Sequence, residues 1–255
     1  MMSAHSTSND DPHRGDPPGD DIDARARRQV AAEERRMRSR RTTSLRDAFV
    51  EFLRHPSPWM IAAFLATSLT ARTWLGGWGI ADLLVPVVMI ASFPLVEWLI
   101  HVFVLHWRPK RVGPITIDPL VARKHREHHS DPRNIPLVFI PWQVLAAVVL
   151  AAVAVGLVVF ATAERGLTFM ATLAAIGLVY EWTHYLIHSD YRPRHAYYRR
   201  LWRNHRFHHY RNEHYWFAVT TAGTADRLLR TYPDPETVEK SPTAKDLHAL
   251  SRTAD

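Results

Sequence analysis

Hydrophobic and polar positions along this chain are gathered into blocks rather than mixed. Four blocks are long and apolar enough to predict membrane helices, which need about 20 residues to cross a hydrocarbon core of about 30 Å. The first is Trp59 to Leu75, with Arg72 near its end. The second runs from Ile80 to about Ile100 and contains Pro86 and Pro94. A membrane helix tolerates proline because neighbouring groups satisfy the freed carbonyls. The third, roughly Pro141 to Ala163, is a Val/Ala/Leu run without a charge, and so long an uncharged run argues against a soluble helical bundle. The fourth begins at Leu167 and continues through Tyr180 toward His188. Gly76-Gly77-Trp78-Gly79 links the first pair and Glu164-Arg165-Gly166 the second, which predicts two tight helical hairpins.

The polar remainder sets the domain plan: a disordered, Arg-rich segment over 1–45, a membrane domain over 46–235 and a polar tail over 236–255. Residues 1–22 are rich in Asp, Pro, Ser and Gly, a composition that stays unfolded. Residues 1–45 also lack the apolar stretch of a cleavable signal. Arg25 to Arg41 holds eight arginines. Beside a membrane span such a run suits anionic headgroups or plain solvation, so nucleic acid is not an expected partner. The formal charge is +7, and with four spans 30 of the 32 Lys and Arg fall on the side shared by the N-terminus, the loop from Trp107 to Pro136 and the C-terminal region. Positive loops stay inside, so both termini and that loop are expected in the cytoplasm.

Composition then narrows the chemistry. There is no Cys, which excludes disulfides, thiolate metal sites, iron–sulfur clusters and Cys nucleophiles. There are 16 His, and ten of them form four clusters: His101 and His106; His125, His128 and His129; His184 and His188; His205, His208 and His209. The spacings are HX4H, HX2HH, HX3H and HX2HH. All four clusters fall on the cytoplasmic loops or at the cytoplasmic ends of the second and fourth helices. Residues at i, i+3 and i+4 share a helix face, so each HX2HH is expected to aim three rings at one point. His101 and His106 would sit about 140° apart on an ideal helix, and need either a local unwinding or different metals. Imidazole without thiolate suits Fe, Zn, Cu or Ni, and ten ligands point to two ions. A pH sensor is the other functional reading of clustered His.

A weak repeat ties the clusters together. Glu97-Trp98 precedes His101 and His106, then Trp107-Arg108-Pro109, then His125 to His129; Glu181-Trp182 precedes His184 and His188, then Tyr191-Arg192-Pro193, then His205 to His209. Two similar halves facing each other would form a cage for two metals. Glu97 and Glu181 are candidates for orienting ligands from outside the coordination sphere, with helix-end charges as the bland alternative. His214 is a candidate for the same role, and His195 is a spare ring near the boxes. Trp98, Trp107, Trp182, Tyr185, Trp202, Tyr215, Trp216 and Phe217 are either substrate walls or an interfacial aromatic belt. No substrate-binding residue can be singled out.

These residues resemble the membrane fatty acid hydroxylase/sterol desaturase superfamily, with its series of His boxes, and within it the fatty acid 2-hydroxylases. Glu97-Trp98-Leu99-Ile100-His101 to His106 is similar to the first box, His128-His129-Ser130-Asp131-Pro132 to the second, and Tyr180-Glu181-Trp182-Thr183-His184-Tyr185 to His188 to the third. His205 to Tyr210, with Phe217-Ala218-Val219-Thr220-Thr221 and Asp226-Arg227-Leu228-Leu229, is similar to the fourth box and the segment after it. The resemblance implies an all-α integral membrane protein of four spans in two hairpins, capped on the cytoplasmic side by helices that hold a His-rich di-metal centre. It implies that the ten boxed histidines ligate two metal ions, nominally iron, with zinc a substitute in purified protein. It also implies an O2-dependent lipid hydroxylase, and the closest boxes suggest 2-hydroxylation of a fatty acyl chain. Three features depart from the pattern: Ala218 follows the aromatic where glycine is usual, Ser189 stands where a further His is usual, and Val102 replaces a common Arg. Residues 1–55 are too short and polar for the fused cytochrome b5 domain of many members, so electrons are expected from a separate carrier of cytochrome or ferredoxin type. The rival readings are oxidation of a sterol, carotenoid or other lipid, and a non-catalytic metal-binding membrane protein.

Overall fold

The computed structural model describes residues 43–253. Most of the 1–45 segment, including the run from Arg25 to Arg41, lies outside the described residues.

Helix α1, Leu45–Phe52, begins where the Ser44 hydroxyl accepts the Asp47 N–H at 3.1 Å, which satisfies one of the free donors of the first turn. Its buried Phe52 ring meets Phe139, Trp182 and Tyr185 at 5.7, 5.0 and 5.7 Å. Helix α2, Pro56–Leu75, starts on a proline and ends at Gly76, whose φ of +62° stops the helix. A short 3-10 turn, Ile80–Leu83, runs into α3, Leu84–Ile100, and then without a break into a π-helical turn, His101–Leu105. Helices α4, Leu120–Ser130, α5, Trp142–Val158, α6, Ala163–His188, α7, Ala196–Tyr210, and α8, Thr224–Leu228, complete the order of α-helices.

The chain is mostly helical, as its pattern predicts, with one addition. Lys110–Val112 and Ile115–Ile117 pair as a small antiparallel hairpin around Gly113, whose φ is +59°. Among the described residues three stretches are long and apolar enough to cross a membrane: Ile80–Leu105, Ile135–Val158 and Ala163–His188, of 26, 24 and 26 residues. The first two leave many large apolar side chains exposed, including Ile90, Val88, Leu150 and Leu157, which is the surface expected against lipid rather than water, while Ala163–His188 is the most enclosed of the three.

The two expected hairpins differ. In the second, α5 and α6 close tightly because Gly156 and Gly166 meet: a β-carbon at Gly166 would overlap the Gly156 carbonyl. The link also shifts: α5 ends at Val158 and Thr162 caps α6, so Glu164-Arg165-Gly166 forms the first turn of α6 and the connection lies earlier in the chain than expected. The first hairpin is open. Helix α2 makes its main contact with α6, while α3 leaves α2 and lies on another side of α6. Extended residues at Gly76 and Gly77, both at positive φ, allow this splay. Arg72 secures it: fully buried, it bonds Thr168 of α6 through Nε at 3.1 Å, faces Asp82 at 3.2 Å and lies 3.7 Å from the Trp78 ring centre. A charge at the end of an apolar helix is thus paired with a carboxylate and an aromatic ring.

The polar C-terminal segment is not free of the domain. Val238, Ala244 and Leu247 are buried, Ser241 N–H donates to the Arg211 carbonyl at 2.8 Å, and Arg211 Nε donates to the Val238 carbonyl at 2.6 Å. Hydropathy misses this strap because its contacts are polar and backbone-mediated.

Since no side chain fits between the Gly156 and Gly166 backbones, Gly166→Ala is expected to destabilise the α5/α6 hairpin by about 1–3 kcal/mol. Thermal unfolding in detergent checks this, with Gly177→Ala, whose β-carbon would reach only ordinary contact with Ile61 at 3.7 Å, as the neutral comparison.

Candidate metal centre

All ten boxed histidines converge at one end of α3 and α6, beneath α4 and α7. They sort into two groups of five: His101, His106, His125, His129 and His208; and His128, His184, His188, His205 and His209. Within each group one nitrogen per ring lies within 4.8 Å of the others. Nine of the ten residues are buried and His106 is half-buried. The groups abut, with the His129 and His209 ring centres 4.2 Å apart.

Each HX2HH helix divides its rings between the groups, which differs from the expectation of three rings on one point. Residues i and i+4 are about 40° apart on a helix, whereas adjacent residues are about 100° apart. So on α4, His125 and His129 serve the first group while His128 turns to the second; on α7, His205 and His209 serve the second while His208 turns to the first. The repeat read in the sequence becomes a reciprocal exchange, each half contributing its middle histidine to the other.

The remaining pair of each group uses a different backbone. His184 and His188 share a face of regular α-helix. His101 and His106, one residue further apart, are brought together by the π-helical turn, in which His106 N–H donates to the His101 carbonyl at 3.0 Å. The unwinding that the HX4H spacing requires is therefore this turn, a feature common at functional sites.

Backbone carbonyls fix four of the rings. Nδ1 of His101, His129, His184 and His208 lies 2.5, 3.0, 3.0 and 2.8 Å from the carbonyls of Phe217, Ala244, Val138 and Tyr215. Such a bond assigns the proton to Nδ1 and leaves Nε2 with its lone pair free. Every one of the ten rings keeps at least one buried nitrogen without a hydrogen-bond partner. An unsatisfied buried polar atom costs about 1–3 kcal/mol, so one on each ring of two close-set groups fits a role in which lone pairs coordinate cations. The all-imidazole donor set suits a redox-active transition metal.

Glu97 and Glu181 act one step away from the rings. Glu97, buried one turn before His101, accepts from the Thr220 N–H and hydroxyl at 2.8 and 2.7 Å and from the Thr221 hydroxyl at 2.9 Å. Glu181 accepts from the Ser57 hydroxyl at 2.7 Å and the Ile140 N–H at 2.9 Å. Each carboxylate thereby anchors the loop whose carbonyl, Phe217 or Val138, holds a ring of its own helix. Asp226, which the sequence marks only as part of the segment after the fourth box, completes the first clamp. Fully buried, it accepts from the Phe217 and Ala218 N–H groups at 3.0 and 2.9 Å.

The other candidates mostly serve packing or the surface. His214 is exposed and faces Glu213 at 3.5 Å, away from both groups, because its N–H is held by the Asn212 side chain at 3.0 Å. His195 caps α7 at the surface. Phe217 is a wall of the first group, its ring 5.3–5.5 Å from His101, His106 and His208. Tyr185 packs on Phe52 and Phe139 instead. The Trp98 indole donates to Thr231 at 2.9 Å and that of Trp107 to the Ile117 carbonyl at 3.2 Å. Trp182 packs on Phe52, Trp202 on the cluster around Ile187, and Tyr215 and Trp216 on each other. The carbonyl acceptors escape any sequence reading, because a backbone oxygen carries no side-chain signature.

The profile of the fatty acid hydroxylase family matches residues 86–231, a span that contains all four histidine clusters. A solved structure described as full-length Scs7p, in which only the hydroxylase domain is visible, superposes with a TM-score of 0.56 at 16% identity, covering 78% of this chain and 70% of that one. At that identity the likeness is one of fold. No curated protein matches the chain.

Burial pushes the His129 ring down to about 3 and, together with neighbouring rings, holds His125, His128, His205, His208 and His209 well below the usual imidazole range. In the unfolded chain the same rings take protons near pH 6.5. Acid therefore favours the unfolded state: the stability of metal-free protein is full above about pH 6.5 and is lost as pH falls toward the folded values. Thermal melts of chelator-stripped protein are expected to show a midpoint that drops steadily from about pH 7 to about pH 5.

Proposed function

The chain belongs to the fatty acid hydroxylase family and is a membrane oxidoreductase, and on that premise we propose that it hydroxylates carbon 2 of a fatty acyl chain using O2. The observation that carries this reading is the pair of five-histidine groups, buried at the end of apolar helices with free nitrogens converging. We assign the ten histidines as ligands of two iron ions. Bound there, the ions would supply the oxidising power to break an unactivated C–H bond, which side chains alone lack. The overall balance is R–H + O2 + 2 electrons + 2 protons giving R–OH + H2O, with the electrons arriving from a separate carrier.

The chain's own residues supply the rest. The carbonyls of Phe217, Val138, Ala244 and Tyr215 keep the ring nitrogens correctly protonated and aimed. The clamps built on Glu97, Asp226 and Glu181 hold those of Phe217 and Val138 in place. Phe217 and the buried surroundings exclude bulk water, which protects a strongly oxidising site from side reactions.

Four spans belong to this reading. Helix α2 lies against α6 and exposes Trp59, Leu69 and Trp74, so a bilayer crossed by α6 would enclose α2 as well. With four crossings, both termini and the α4/α7 cap lie in the cytoplasm by the distribution of Lys and Arg. The membrane domain then extends over 46–235, with the docked strap that follows completing its site through the Ala244 carbonyl, and the acyl chain reaches the histidines from the apolar surfaces of the helices.

Two experiments test the proposal. His125→Ala and His188→Ala each remove a ring from one group only, so elemental analysis is expected to fall from two ions per chain to about one in either variant, and an unchanged metal content would refute the ligand assignment. In a host that makes no 2-hydroxy acids, expression under isotopically labelled O2 is expected to yield labelled 2-hydroxy fatty acids on mass spectrometry of hydrolysed lipids, and His128→Ala to reduce them at least about 100-fold. Labelled sterol or carotenoid products, or no product at all, would exclude the acyl substrate.

A further inference from the structure

We propose that the outer face of α7 is the docking surface for an acidic, one-electron carrier protein of the ferredoxin class. This deepens the hydroxylase reading and rests on it, since that reaction consumes two electrons the protein must receive from outside. The chain has no Cys, and among the described residues the histidine groups are the only assembled metal-ligand sets. A carrier must therefore bring its own redox centre close to those rings.

The segment Tyr191 to Arg211 holds seven arginines and not one Asp or Glu. Arg192, Arg194, Arg199, Arg200 and Arg203 are exposed, and among the described residues none of these five forms an ion pair. At about 100° per residue, Arg199 and Arg203 lie within about 40° of each other on α7 and Arg200 beside them, while His205, His208 and His209 occupy the opposite side. Those three rings are fully buried, and between them they serve both histidine groups. A basic outer surface and the ligand-bearing inner surface are thus two faces of one helix, separated by a helix diameter of about 10–12 Å.

The sister helix shows that this charge does not come with the motif. On α4, Lys124 pairs with Glu127 at 2.7 Å and Arg126 with Asp118 at 2.6 Å, so its outer face is largely neutralised. The cleft beside His188 is likewise balanced, with Arg54 on Glu51 and Arg133 on Asp190, both at 2.7 Å. Of these three surfaces, α7 alone presents one sign. A lipid-binding helix would place large apolar side chains beside its arginines. On α7 the one exposed large side chain of that kind is Tyr197, and its hydroxyl is bonded to the Thr220 carbonyl at 2.9 Å. An acidic protein fits this surface better than a bilayer does.

The test uses the full metal-loaded chain in phosphatidylcholine nanodiscs and an acidic plant-type ferredoxin, with binding read by biolayer interferometry. Wild-type chain is expected to bind, and to lose affinity steeply as salt rises above about 50 mM, because exposed charges are screened over a Debye length. The triple variant Arg199→Glu, Arg200→Glu, Arg203→Glu is expected to weaken binding at least about tenfold, while Arg123→Glu with Lys124→Glu on α4 changes it less than about twofold. Metal content and melting temperature report whether each variant is folded, and Arg199→Gln with Arg203→Gln replaces the triple variant if that one is not. Equal binding by wild type and the α7 variant would overturn the proposal. So would an equal loss in the α4 variant, or disappearance of wild-type binding once phosphatidylglycerol is added to the discs, which would mark the arginines as lipid ligands. Binding is read without turnover, so a chain that hydroxylates nothing still reports on this surface, and one that hydroxylates yet ignores the carrier refutes the surface alone.

Discussion

Ten imidazole rings, nine buried and one half-buried, each keep a buried nitrogen without a hydrogen-bond partner among the described residues, and this constraint organises the rest of the molecule. Unsatisfied nitrogens in that number would cost about 10–30 kcal/mol, comparable to or larger than the roughly 5–15 kcal/mol by which a domain is ordinarily stable. In the function proposed above, cation binding would turn the liability into the main source of local order. Such a site needs its rings aimed in advance, which explains why so much of the buried polar chemistry is spent on orientation. Carbonyls hold Nδ1 of four rings, and carboxylates hold the loops that carry two of those carbonyls.

The two halves reach the same end by different local means. One histidine pair sits on a regular helix and the other on a π-helical turn, yet both offer two rings on a common side. Each HX2HH helix gives two rings to its own group and one to the other, so neither half forms a complete set by itself. Losing the position of α4 or α7 would therefore damage both groups at once. The halves also differ in charge: α4 pairs Lys124 and Arg126 with carboxylates, and α7 leaves Arg199, Arg200 and Arg203 facing outward without one among the described residues. An internal repeat with equivalent interiors thus presents unlike exteriors, which gives the protein a distinct side from which a partner can approach.

Much is legible in the amino-acid order. The apolar blocks mark the long helices, the histidine spacings mark all ten converging rings, and the Glu-Trp pairs mark the repeat. Glu97 and Glu181 are also visible as important carboxylates, although their partners are threonine, serine and backbone N–H groups rather than the rings. The role of Asp226, the opening of the first hairpin around Arg72 and the docking of Ala244 and Leu247 are not visible, because each depends on contacts between segments distant in the chain.

What the sequence determined by itself is the local periodic information: where apolar side chains run long enough to cross a bilayer, and where imidazoles recur at intervals that share a helix face. These arise from the rise and pitch of a single helix and need no neighbour. What only the tertiary structure decided is how the rings are distributed. Adjacent residues such as His128 and His129 diverge by about 100° on one helix, so which group each joins depends on where α3, α6 and α7 stand around it. Spacing along a helix fixes the directions of ligands, but a coordination site is an intersection of directions from several helices, and that exists only once they are assembled.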